Sequence, residues 1–323
     1  MAITFDDGPY HYTNELLDLL SQNGVVVTFF VTGMNGAKGP VNDPNTENPA
    51  MLRRMLAEGH QIASHSWSHE NMESISVQEQ QFQIAKLETA LADLFGFFPT
   101  YYRPPYTGCG EGCIAALGAR GYHVANYNLD TKDWQVDVWQ ARQNYDFGLA
   151  NSSPQSSGII TLAHDIHQDT VRDLTQFMID KASGAGYRLV TVGECLGDSV
   201  GNWYRNAVTG GAVEMAAIRA AALGKSGLQA KEKYHQAGVS SFPVAPTQPS
   251  RTSTKSTTKG KFNPTAGAAA KPDEDYLEDE VDFEYDDDVK GSRYRESSAT
   301  IPTRSPGVLY AVVAIMVGVV AMF

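Results

Sequence analysis

From Met1 to about Arg205 the chain alternates apolar, β-branched runs with stretches whose apolar residues recur at helical spacing. The runs lie at residues 2–5, 25–31, 61–64, 100–102, 123–129, 158–163 and 188–192. Helix-like stretches occupy 13–22, 49–58, 77–95, 136–150 and 170–183. Strict alternation of this kind predicts an α/β fold with a parallel sheet covered by helices, and about seven such units can close into a barrel. Side chains that do chemistry in such barrels gather at the C-terminal ends of the strands.

Beyond Arg205 the rhythm fades. A short helix is expected at 212–223, but 246–261 is rich in Ser, Thr, Pro and Lys, and an acidic block follows it. Segments of that composition cannot bury enough apolar surface to offset the entropy of ordering, so residues 206–307 read as a disordered stalk. Residues 308–323 then run without a charge. Small residues at Gly291-Ser292 or Ser297-Ala299, a polar spacer and an apolar tail fit the signal for a glycosylphosphatidylinositol anchor, and a retained membrane tail is the other reading. The expected division is thus a domain at 1–205, a stalk at 206–307 and a tail at 308–323. An anchor of this kind requires the secretory pathway, and with no signal peptide ahead of the first strand the N-terminus is expected to be incomplete.

Charge changes the picture little. The formal net charge is −12, yet residues 273–288 alone hold eleven of the 37 acidic side chains, and without them 26 acidic face 25 basic ones. No basic patch argues for nucleic acid. Of the three cysteines, Cys109 and Cys113 flank a Gly-Glu-Gly turn and are close enough for a local disulfide, which leaves Cys195 over. A metal site on the same pair would need two further ligands nearby, and the sequence offers none.

Candidate chemistry begins in the first strand. Thr4-Phe5-Asp6-Asp7-Gly8-Pro9 is a strand-to-turn exit that also sets two carboxylates side by side, a repulsion that a cation would relieve. His65-Ser66-Trp67-Ser68-His69 places two imidazoles four residues apart, within reach of one ion. With one carboxylate they would make a two-histidine, one-carboxylate site, suited to Zn²⁺ and open also to cobalt, iron or nickel. Arg103-Pro104-Pro105-Tyr106, Asp130-Thr131-Lys132-Asp133-Trp134 and Leu162-Ala163-His164-Asp165 close three later runs with polar groups. Five strand ends that each offer a catalytic residue type argue for one shared site.

In order and approximate spacing, these five segments resemble the motifs of the polysaccharide deacetylases, the NodB-homology family or carbohydrate esterase family 4. The ending from Cys195 to Arg205 is similar to fungal chitin deacetylases. For the fold, the resemblance implies a distorted (β/α) barrel. For the site, it implies Asp7, His65 and His69 as ligands of Zn²⁺, or of Co²⁺ or another divalent transition metal, and Asp6 as general base held by Arg103. It further implies His164 as general acid paired with Asp130, a backbone N–H of Tyr106 facing the oxyanion, and Trp134 and Leu162 walling the acetyl pocket.

The implied reaction removes N-acetyl groups from chitin or N-acetylglucosamine oligomers. An O-acetyl xylan esterase, a peptidoglycan deacetylase and an inactive wall-binding protein are the other readings. The expected setting is a monomer at the cell surface or wall, membrane-attached through its C-terminal tail. In a secreted chain, Asn151-Ser152-Ser153 would be a glycosylation sequon. His60, His123, His11, His167 and His235 are left outside the metal site.

Overall fold

The computed structural model describes residues 1–155 and 158–225. The stalk from 226 onward and the apolar tail lie outside the described residues. Nine strands and eight α-helices occur among the described residues. The strands are β1 (Ala2–Asp6), β2 (Thr28–Val31), β3 (Gln61–Ser64), β4 (Phe97–Pro99), β5 (Tyr101–Tyr102), β6 (His123–Val124), β7 (Leu129–Asp130), β8 (Ile160–His164) and β9 (Tyr204–Asn206). The helices are α1 (Thr13–Asn23), α2 (Asn48–Ala57), α3 (Val77–Phe95), α4 (Glu111–Ala119), α5 (Val138–Ala150), α6 (Thr175–Gly184), α7 (Val192–Cys195) and α8 (Met215–Ala222).

Seven strands form one sheet in the order β6-β5-β3-β2-β1-β8-β7, with every neighbouring pair parallel. Sequence-adjacent β6 and β7 therefore end up at opposite edges, as in a barrel left open between them. Central β1 is buried at all five positions, which is why it reads as an unbroken apolar run rather than an alternating one. Its register is the frame for the site: Asp6 is level with Phe30 of β2 and with His164 of β8.

The unit count agrees with the sequence, though two of the runs behave differently. The run at 123–129 is split into β6 and β7 around Ala125–Asn128, where the chain crosses the opening of the barrel. The run at 188–192 is no strand. It makes two bonds with the start of the chain, Met1 N to Arg188 O at 3.0 Å and Val190 N to Met1 O at 2.9 Å, before Thr191 caps α7 by accepting from Glu194 N.

Helix ends follow their chemistry. Ser76 and Asp137 cap α3 and α5 by accepting from Glu79 N and Gln140 N, so α5 starts after Asp137 rather than at 136. Helix α4 and the antiparallel ribbon of β4 with β9 have no counterpart in the sequence reading. Packing also continues past Arg205, because Ile218 and Ala221 of α8 are buried in the main core and Arg53 donates to Ala221 O at 2.6 Å. Among the described residues no helix is long and apolar enough to cross a membrane.

Candidate active site

At the C-terminal end of β1, Asp6 and Asp7 diverge because Asp7 adopts the left-handed region, φ 75°. Lys38 Nζ reaches under this turn and donates to Asp7 O at 2.9 Å and Gly8 O at 2.8 Å, while Thr32 Oγ1 donates to Asp7 O at 2.8 Å. An uncommon conformation for a non-glycine residue is thus fixed from below. The Asp7 carboxylate then faces His69 Nε2 at 3.3 Å and His65 Nε2 at 3.7 Å.

Ligand atoms of Asp7, His65 and His69 all lie within 4.8 Å of one another. Asp7 Oδ1 is buried and makes no hydrogen bond, an orphaned carboxylate oxygen of the kind a cation would satisfy. His65 Nδ1 lies 2.7 Å from Arg103 O, so that nitrogen carries the proton and Nε2 presents a lone pair. Burial pushes His69 down to about 4 against the opposing pull of Asp7, which keeps its imidazole neutral, as ligation requires. The donor set fits a divalent metal.

Asp6 is held apart from this group. Its Oδ1 accepts from Arg103 Nη1 at 2.7 Å, and Oδ2 remains on the His65 side, 3.6 Å from Nε2. Arg103 is itself fully buried, donates to Thr4 Oγ1 at 2.7 Å and Ala125 O at 3.1 Å, and lies 3.9 Å from the Phe30 ring centroid. Its guanidinium ties β1 to the crossing between β6 and β7.

On the other flank, His164 pairs with Asp133 and not with Asp130. His164 Nδ1 lies 2.8 Å from Asp133 Oδ1, and Asp133 Oδ2 accepts from His164 N and Thr170 Oγ1, both at 2.7 Å. Asp130 instead accepts from the backbone N–H of Lys132 at 2.8 Å. Left-handed Lys132, φ 56°, turns the chain back after β7 and delivers Asp133 over the end of β8. Burial alone would lower the His164 pKa, but the Asp133 carboxylate outweighs it and holds the imidazole up at about 10.

Tyr106 is left-handed at φ 55°, two-thirds exposed, with its ring centroid 4.6 Å from that of His69. Trp134 is exposed and Leu162 buried. The Cys109–Cys113 disulfide is present and closes the segment that follows Tyr106. Cys195 is a free thiol. His60 accepts from Val27 N through Nδ1, a structural role as expected. Asn151 of the sequon is exposed. Lys38, Asp133 and Gln83 are the residues around the site that the sequence reading left without a role there; a second carboxylate three positions after Asp130 was the one available signal.

A polysaccharide deacetylase family model matches residues 1–125. The chain is 42% identical over 209 residues to a chitin deacetylase of Colletotrichum lindemuthianum, covering 64% of this chain and 82% of that one. It belongs to the polysaccharide deacetylase family. A chitin deacetylase of a Pestalotiopsis species is 45% identical over 208 residues, 64% of this chain and 66% of its own length. The solved structure of the Colletotrichum enzyme superposes with a TM-score of 0.59 at 41% identity, covering 64% of this chain and 90% of that one. Of the residues described above, Asp6, Asp7, His65, His69 and Arg103 lie within the span that the family model matches.

Proposed function

We propose that this polysaccharide deacetylase removes N-acetyl groups from N-acetylglucosamine residues of chitin or chitin oligomers, giving chitosan and acetate. The observation that carries the reading is the orphaned Asp7 oxygen between two imidazoles, flanked by the Arg103–Asp6 pair on one side and the Asp133–His164 pair on the other. Asp7, His65 and His69 would hold the metal. Bound there, Zn²⁺, or Co²⁺ in its place, supplies Lewis acidity toward water and the acetamide carbonyl.

The protein's own groups divide the proton work. Asp6, oriented by Arg103, takes a proton from the water whose oxygen adds to the carbonyl carbon. His164 gives its Nε2 proton to the amide nitrogen as the C–N bond breaks, so that a neutral amine leaves acetic acid, whose remaining proton passes to the amine or to solvent to give acetate. Asp133 keeps Nδ1 of that imidazole occupied and stabilises its cationic form, the arrangement a general acid needs. The backbone N–H of Tyr106 is the candidate donor to the oxyanion, a contact worth about 3 kcal/mol in comparable sites. Leu162 and Trp134 would bound the space for the acetyl methyl. Relatives named as chitin deacetylases support a cell-wall polysaccharide as substrate and the cell wall as the site of action.

Acetate release is the test. N-acetylglucosamine oligomers should yield acetate, a chelator should stop it, and added Zn²⁺ or Co²⁺ should restore it. Release only from acetylated xylan would overturn the substrate. Release only from peptidoglycan, the substrate in the name of a relative 38% identical over 206 residues, would overturn it as well. Glycan binding without acetate from any substrate would overturn the enzymatic reading.

A further inference from the structure

The loop that carries the two imidazoles contains two left-handed residues, Ser66 at φ 69° and His69 at φ 59°. Neither is glycine, so the conformation persists only where its surroundings over-determine it. On the sheet side the loop is tied to β2 and its continuation: His65 N donates to Val31 O at 2.9 Å, Gly33 N to Ser66 O at 3.1 Å and Met34 N to Trp67 O at 2.6 Å. Inside the loop, His69 N donates to Ser66 Oγ at 3.0 Å.

On the opposite side, two consecutive amides share one acceptor. Trp67 N and Ser68 N both donate to Gln83 Oε1 of α3, at 3.1 and 2.8 Å. Gln83 Nε2 donates in turn to Ser68 Oγ at 2.7 Å and to Glu79 Oε1 at 3.1 Å. Every hydrogen-bonding position of the amide is used, in a residue only 2% exposed. Two N–H groups can face only an acceptor, so the partners fix which end is oxygen.

We propose that Gln83 is a positioning residue for the metal centre. From a helix that contributes no ligand, its amide fixes the loop between His65 and His69 and so sets the separation and tilt of the two imidazoles. The proposal rests on the reading of Asp7, His65 and His69 as the metal site. A residue that only filled space could be replaced by any side chain of equal volume. A residue that sets the bite of two ligands could not, because partners behind a metal ligand typically contribute about 10- to 100-fold to metal affinity.

The test titrates Zn²⁺ into the chelator-stripped full-length chain by calorimetry and records the visible spectrum of the Co²⁺ form. Gln83→Met keeps the volume and removes all four bonds; Zn²⁺ affinity should fall about 10- to 100-fold and the Co²⁺ bands should shift. The exchange pair Glu79→Gln with Gln83→Glu restores acceptors for both amides and a donor at position 79, and should return affinity to within about threefold of wild type. A folded Gln83→Met that binds Zn²⁺ within about twofold of wild type, with an unchanged Co²⁺ spectrum, would overturn the proposal.

Should Gln83→Met fail to fold, Gln83→Glu alone sets two carboxylates against each other and should lose affinity that Glu79→Gln restores. Equal affinity in that single variant and the exchange pair would overturn the proposal too. A wild-type chain that takes up no Zn²⁺, or keeps full affinity in His65→Ala, would instead overturn the metal site itself, and the role of Gln83 with it.

Discussion

Asp6 and His164 are register partners on the adjacent parallel strands β1 and β8. The proposed base and the proposed acid are thus set level by the sheet ladder itself, and loop geometry is left to deliver what surrounds them. In parallel strands a slip of one residue turns every side chain to the other face, so the pairing that sets buried Phe5 beside buried Ala163 also fixes this separation. The stability of the core and the geometry of proton transfer depend on the same register.

The Asp133–His164 pair makes a pH prediction. Asp133 is the charge that lifts His164 to about 10 against burial, with smaller contributions from Asp7 and Asp6 that a metal at the site would offset. Asp133→Asn should lower that pKa, so the alkaline limb of the kcat profile should move to lower pH and kcat should fall by about 10² to 10⁴. Asp130→Asn should leave the limb in place. The sign for stability is the same: the contribution of the raised His164 pKa is complete below about 6.5, the ordinary histidine value, and is lost as pH rises through about 10. Urea unfolding of wild type and Asp133→Asn across that range checks it.

Removal of the Arg103 side chain should be costly to the fold. It is fully buried, as is Asp6, and its loss would leave Asp6 as an uncompensated charge and Ala125 O without its donor. Arg103→Met should destabilise the fold by about 3–5 kcal/mol, the usual range for breaking a buried pair from one side. Arg103→Met/Asp6→Leu, which removes both charges, should recover much of that stability and no activity. Denaturant titration and acetate release separate the two effects.

The disulfide is expected to act on binding more than on chemistry. Cys109 and Cys113 are four positions apart, and closing so short a loop is worth about 2 kcal/mol in the chain-entropy account. Because the bridge closes the segment after Tyr106, Cys109→Ser/Cys113→Ser should raise KM for chitin oligomers more than it lowers kcat. Steady-state kinetics on the double variant, with thermal unfolding alongside, give both numbers.

Periodicity was enough for the architecture, because buried parallel strands announce themselves as apolar runs and capped helices as spaced ones. It failed where tertiary context decides: residues 123–129 look like one strand but must cross the open edge of the sheet, and 188–192 looks like a strand but is turned by Thr191 into α7. The clustering of Asp7, His65 and His69 was legible because each follows an apolar run that became a strand of the sheet. Asp133 was not, because the choice between it and Asp130 depends on the left-handed turn at Lys132, and a lysine gives no sequence signal for that conformation. Gln83 lies in the middle of α3, where a glutamine reads as an ordinary helical residue.

The proposed site divides its labour between two neighbouring carboxylates, and metal content of two variants tests this division most directly. Asp6→Asn, purified and loaded with Zn²⁺ in parallel with wild type, should retain about one ion per chain while kcat falls by about 10² to 10⁴. Asp7→Asn should lose the ion and the activity together. Wild-type metal content in Asp7→Asn, or equal loss of metal from both variants, would contradict the assignment of Asp7 to the metal and Asp6 to the proton.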